Sequence, residues 1–178
     1  MTSARISKYQ AIDIANAMMA VKIFPEAKKR QDELYADTER RLMNYVPKEV
    51  LEFAERFPKY VSRTTYQYVR NENGLRSGVS TRTPVINLPC GDTEYVTISN
   101  EDFEAFEKNR SELCESESNT RQIRENIVNK LKGRGAKGVC DTWPEACPYV
   151  KAVMCDPEVQ LPAVVNADLN KALGLPVE

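Results

Sequence analysis

Between Tyr60 and Ile86 the apolar and aromatic residues stop recurring every three to four positions and begin to alternate, and that change of period limits the folds open to the chain. Tyr60, Ser62, Thr64, Tyr66 and Tyr68 fall on one face of an extended strand, with Val61, Arg63, Thr65, Gln67 and Val69 on the other. Asn73-Gly74 is a hairpin signal, so Leu75 to Ile86 returns antiparallel, and Pro84 suits an edge position. A third strand, Glu94 to Ile98, follows a turn at Cys90-Gly91-Asp92 and completes a small antiparallel three-stranded meander. So small a sheet is not stable alone in water and needs helices over one face.

Helical patterns flank it on both sides. Ser7-Lys8-Tyr9-Gln10 has capping-box spacing ahead of Ile12, Ala15, Met19 and Ile23, a helix ending near Phe24. Glu26 to Val46 is a charged helix with a narrow stripe of Leu34, Tyr35, Thr38, Leu42 and Tyr45; Lys48 to Phe57 is a third helix, bracketed by Pro47 and Pro58. Ser99 or Asn100 caps a long helix buried at Phe103, Phe106, Leu113, Ile123, Ile127 and Leu131, whose inward side turns polar at Glu117 and Thr120. Gly133, Gly135 and Gly138 make a basic loop. Thr142 to Glu145 reads as an N-cap with its capping-box partner, opening a helix from about Pro144 to Cys155. After a proline-punctuated segment, Pro157 to Pro162, a short helix near Ala167 to Leu173 ends at Gly174.

The expectation is an α+β fold in one domain over 1–178: helical 1–59, β-meander 60–98, long helix 99–132, then the glycine loop and C-terminal helices 133–178. The N- and C-terminal helices pack the meander, and the two long helices pair as a projecting arm. A chain of 178 residues suits a single well-buried core.

Histidine is absent, which removes Ser-His-Asp and Cys-His nucleophilic sites and the commonest general base at neutral pH. The five cysteines, at 90, 114, 140, 147 and 155, include no CxxC pair, so no metal site is expected; without a signal peptide they read as reduced thiols. Cys147 and Cys155 suit a buried helix face. Gly133 to Gly138 is not a GxxxxGK[ST] loop and follows a helix where a nucleotide fingerprint follows a strand, so no cofactor is expected. No apolar run is long enough to span a bilayer, and a cytoplasmic protein is expected by default.

Net charge is −1, but it is unevenly spread: residues 61–89 hold four Arg against one Glu, and residues 90–128 ten acids against four bases. Arg63, Arg70, Arg76 and Arg82, with Lys130, Lys132, Arg134 and Lys137 of the glycine loop, are the candidate contacts for a phosphate or a partner. The loop reads first as a tight interhelical connector, with a basic contact loop as the alternative. Tyr66 and Tyr68 beside the four strand arginines would suit stacked single-stranded bases. The simpler expectation is that the tyrosines cover the helical layer while the arginines sit outside.

Asp141-Thr142-Trp143-Pro144-Glu145-Ala146 and the tail Leu169-Asn170 to Leu173-Gly174-Leu175-Pro176 resemble a group of phage proteins catalogued as nucleotide modification associated domain five. In that group a charged helical pair precedes a strand region, and a TWPEA-like box and an LNxxLGLP-like tail close the chain; the same order runs over most of this sequence. The resemblance implies a phage origin among accessory genes and supplies no catalytic residues to carry over. The functional expectation is a noncatalytic phage accessory protein that binds and inhibits a bacterial host or anti-phage defence enzyme in the cytoplasm of the infected cell; the sequence leaves its oligomeric state open, a homodimer being one option. The alternative is a DNA-binding or nucleotide-modification-associated helper.

Overall fold

A computed structural model describes residues 4–86 and 95–155, the side chain of Cys155 excepted. The expected Cys90-Gly91-Asp92 turn, Glu94, the Pro157 to Pro162 segment and the tail helix and motif lie outside the described residues. Within them the fold is α+β, as expected, with a three-stranded sheet and six α-helices: α1 Lys8–Ala20, α2 Ile23–Met43, α3 Lys48–Arg56, α4 Asn100–Leu131, α5 Ala136–Thr142 and α6 Cys147–Cys155. Short 3₁₀ turns at Pro58–Tyr60 and Pro144–Ala146 precede the first strand and α6.

The residues group into two compact units, one of Met1–Lys29 with Glu117–Glu178, the other of Arg30–Ser116. The division falls inside both long helices. It falls where α4 turns polar: between Asn109 and Leu131 no residue of α4 is buried.

In the first unit, Ser7 and Gln10 make the expected capping box, each backbone N–H donating to the other's side-chain oxygen at 2.9 and 3.2 Å. Ile14 of α1 packs with Ile6, Leu131, Val139, Ala146 and Val150 into one core. The glycine loop is a stitched connector. The Ile6 N–H donates to the Arg134 carbonyl at 2.9 Å, and the Gly133 N–H to the Ile6 carbonyl at 2.8 Å. Of the three loop glycines only Gly133 adopts positive φ, +77°; Gly135 caps α5 with φ −70°, and Gly138 lies inside that helix. The expected N-cap at Thr142 is corrected: Thr142 ends α5, its hydroxyl bonding back to the Gly138 carbonyl at 2.8 Å instead of forward to α6. Cys140 and Cys147, expected as free thiols, are joined as a disulfide with Cα atoms 4.5 Å apart.

In the second unit the sheet comprises β1 Arg63–Asn71, β2 Arg76–Ile86 and β3 Val96–Ile98 in the order β2-β1-β3. β1 and β2 pair antiparallel, with Tyr66 opposite Ser80, Tyr68 opposite Gly78 and Arg70 opposite Arg76. Glu72, Asn73, Gly74 and Leu75 form the loop between them. Gly74 takes φ +82°, and the Leu75 N–H donates to the Asn71 side chain at 2.8 Å.

The antiparallel meander is corrected at its third strand, because β3 runs parallel to β1 along the edge that β2 leaves free, pairing Val69 with Val96 and Asn71 with Ile98. The outer edge of β2 is already taken: the Glu39 carboxylate of α2 accepts the backbone N–H of Arg82 and Thr83 at 2.8 and 2.9 Å. On the far side of β1, Val96 and Ile98 reach the core of Leu42, Val69, Val79, Phe103 and Phe106. A smaller cluster of Val46, Ala54 and Ile86 anchors α3.

Candidate nucleic-acid interface

The side chains of β1 alternate, and the alternation decides which face is open. Gln67, Val69 and Asn71 are buried towards α2 and α4, leaving Tyr66, Tyr68 and Arg70 on the outer face. The expectation that the tyrosines cover the helical layer is therefore reversed. Val69 is fully buried against Val79, Val96 and Ile98, and a one-residue alternation forces its neighbours outward. Tyr66 and Tyr68 are each 45% exposed.

These two rings meet edge to face at 5.1 Å between centroids, and Tyr68 meets Tyr95, beside β3, at 5.7 Å. The guanidinium of Arg76 lies 5.1 Å from the Tyr95 centroid, and Arg70 Nε donates to Thr97 Oγ1 at 2.8 Å. The outer face thus carries three tyrosines in a row, with two arginines at the hairpin end. Gly78 makes room for the first of them: a Cβ built there would fall on the Tyr66 ring.

The other strand arginines play different parts. Arg63 begins β1 opposite Ile86 and is exposed. Arg82 is drawn to α2, where it pairs with Asp32, donates to Gln31 at 3.2 Å and lies 4.9 Å from the Tyr35 ring centroid. It is a strut between β2 and α2, and the tyrosine row does not include it. The remaining candidates belong to the other unit. There Lys130 lies 5.4 Å from the Trp143 ring centroid, while Lys132, Arg134 and Lys137 are exposed around the stitched loop. Nothing in the local sequence marks Tyr95 or Thr97 as part of this face; for Gly78, an isolated glycine inside a strand pattern is the signal.

Beneath the sheet, a polar network fixes α4 against α2. Arg41 donates to Asp37 at 3.0 Å and to Asp102 at 2.6 Å; Asn109 donates to Asp37 and Thr38, both at 3.1 Å; and Tyr45 bonds Ser99 at 3.0 Å and Asp102. Burial pushes both carboxyls up, but the hydrogen bonds outweigh it. Asn109, Arg40 and Arg41 hold Asp37, and Tyr45, Arg41 and Ser99 hold Asp102, below the usual carboxylate range. The network orients the residue that follows β3, Ser99, and so braces the edge that carries Thr97.

Among the described residues no group of three or more Cys, Asp or Glu stands where it could hold a metal ion, and no helix is long and apolar enough to cross a membrane. The outer face offers stacking surface and positive charge. A family profile described as nucleotide modification associated domain 5 matches residues 5–176. No curated protein and no solved structure matches the chain.

Proposed function

Because the chain belongs to the nucleotide modification associated domain 5 family, as its match over residues 5–176 establishes, we propose that it is a noncatalytic helper that holds single-stranded nucleic acid on the outer face of its sheet. The observation that carries this reading is the exposed row of Tyr66, Tyr68 and Tyr95 with Arg70 and Arg76 at its end. Every base has a π face, so such a row binds strands with little regard to sequence, and the two guanidinium groups take the phosphates. The test is retention of a labelled single-stranded oligonucleotide over a salt series. Binding that weakens with salt and is lost in Arg70→Glu and Arg76→Glu supports the reading; binding indifferent to both reversals overturns it. Turnover of nucleotides or DNA with Mg²⁺ by the purified protein overturns the noncatalytic part.

A second reading, inhibition of a bacterial host or defence enzyme by a phage accessory protein, has one observation in its favour. Phe53, Phe57 and Tyr60 form an exposed aromatic cluster, with centroids 5.1 and 6.4 Å apart and Arg56 over Phe57. A stoichiometric protein partner that survives nuclease treatment of a bacterial lysate and is lost in Phe57→Ala and Tyr60→Ala would favour it over the first.

A further inference from the structure

Arg70 of β1 and Arg76 of β2 stand directly opposite each other at the hairpin end of the sheet. Like charges in that relation destabilise a pair of strands unless something negative lies between them. Among the described residues neither arginine forms an ion pair with a carboxylate. Each is held by a neutral neighbour instead. Arg70 Nε donates to Thr97 Oγ1 at 2.8 Å, which leaves the two terminal amino groups of the guanidinium unspent, and Arg76 lies 5.1 Å from the Tyr95 centroid. Thr97 accepts the Arg70 bond and so keeps its own O–H to donate. The two sides of the pair differ in charge. Along β1 in one direction come Tyr68 and Tyr66. In the other, Glu72 is exposed at the start of the loop, its carboxylate accepting from Asn100 Nδ2 at 2.8 Å, and the exposed Glu101 follows Asn100.

We propose that Arg70, Arg76 and Thr97 form a site for a terminal phosphate, so that the protein holds the phosphorylated end of a single strand. The inference rests on the outer face being a nucleic-acid surface, and it adds which part of the strand that surface selects. A phosphodiester inside a strand carries a single negative charge and has a pair of unesterified oxygens. A terminal phosphomonoester carries about −1.5 to −2 near pH 7 and presents three acceptor oxygens. Two guanidinium groups and a hydroxyl match the monoester in both charge and donors, and the planar fork of each arginine suits two of its oxygens at once. The same anion removes the repulsion between the opposed arginines. A strand lying along the tyrosines stops at this pair, because one more phosphate beyond it would face the Glu72 carboxylate.

The test is competition against a labelled oligo(dT) on the full chain, using unlabelled oligo(dT) with a 5′-phosphate, a 3′-phosphate or neither. A phosphate at one of the two ends is expected to tighten binding about tenfold, as charge-assisted hydrogen bonds to a better-matched anion do. The gain should shrink below about pH 6, where the monoester takes up its second proton. It should vanish in Arg70→Gln and in Arg76→Gln, whereas Tyr66→Ala/Tyr68→Ala should weaken all three oligonucleotides by the same factor. Three oligonucleotides that bind alike, a gain shared equally by both ends, or a gain that survives both arginine changes overturns the end site. If the tyrosine variant still weakens binding in those cases, the face stands without it. A gain that follows the arginines while the tyrosine variant binds as before keeps the phosphate site and overturns the tyrosine row as the base surface. Failure of every oligonucleotide to bind overturns both.

Discussion

Gly78 shows how one missing Cβ shapes the proposed surface. The Tyr66 ring lies across the neighbouring strand only because nothing rises from Gly78, so Gly78→Ala should turn the ring away while leaving the hydrogen-bond ladder intact. The expected outcome is a loss of oligonucleotide affinity comparable to one stacking contact, about 1–3 kcal/mol, with the circular dichroism spectrum unchanged; undiminished binding would show that the position of Tyr66 is immaterial. The alternation that exposes Tyr66 and Tyr68 was plain in the sequence, but its sense was not. Two faces of mixed polarity, one with tyrosines and one with Val61, Gln67 and Val69, fit either orientation until the partner strands supply Val79, Val96 and Ile98. Arg82 looks like a free contact in the sequence because nothing local reveals that Asp32 and Glu39, over forty residues earlier, hold that strand.

Helix ends and strand pairing separate what neighbouring residues dictate from what distant ones do. Ser7 and Gln10 lie within one turn of each other, and their capping box was legible; Thr142 and Glu145 have the same spacing, yet the Thr142 hydroxyl finds the Gly138 carbonyl first. The parallel pairing of β3 was not legible, since it depends on Glu39 occupying the outer edge of β2. The brace between α2 and α4 has a pH signature. Asp37 and Asp102 ionise below their unfolded value of about 3.9, so their contribution is complete above that value and is lost as pH falls through the lower folded values. Acid unfolding should therefore steepen below about pH 4, and Asp102→Asn should lower stability at neutral pH by about 1–3 kcal/mol and flatten that acid limb; an unchanged profile would mean that the brace carries no net weight. The link between α5 and α6 makes a separate forecast. Alkylation without reductant should leave two cysteines protected, and Cys140→Ser should cost about 2–3 kcal/mol, measured by denaturant unfolding; five reactive thiols would contradict it.

A net charge of −1 gives the chain no general attraction for nucleic acid, so any binding must come from the local arrangement on the sheet. With Arg70 and Arg76 beside the tyrosine row, about two phosphates are neutralised, and the plot of log affinity against log salt should fall with a slope of roughly −1.4. A much steeper slope would bring in the basic loop at Lys130 to Lys137. The α+β class was legible from the two hydrophobic periods, because each records which side of an element is buried. The division into two units was not, although the polar run of α4 near Glu117 marks where it falls. What a charge tally left undecided, the exposure of the aromatic row makes testable in one comparison. Anisotropy of a labelled single-stranded oligonucleotide should show wild-type protein and Phe57→Ala binding alike, with Tyr66→Ala/Tyr68→Ala weaker by about tenfold or more. Equal affinity of the double variant and the wild type would contradict the assignment of the sheet's outer face as the nucleic-acid surface.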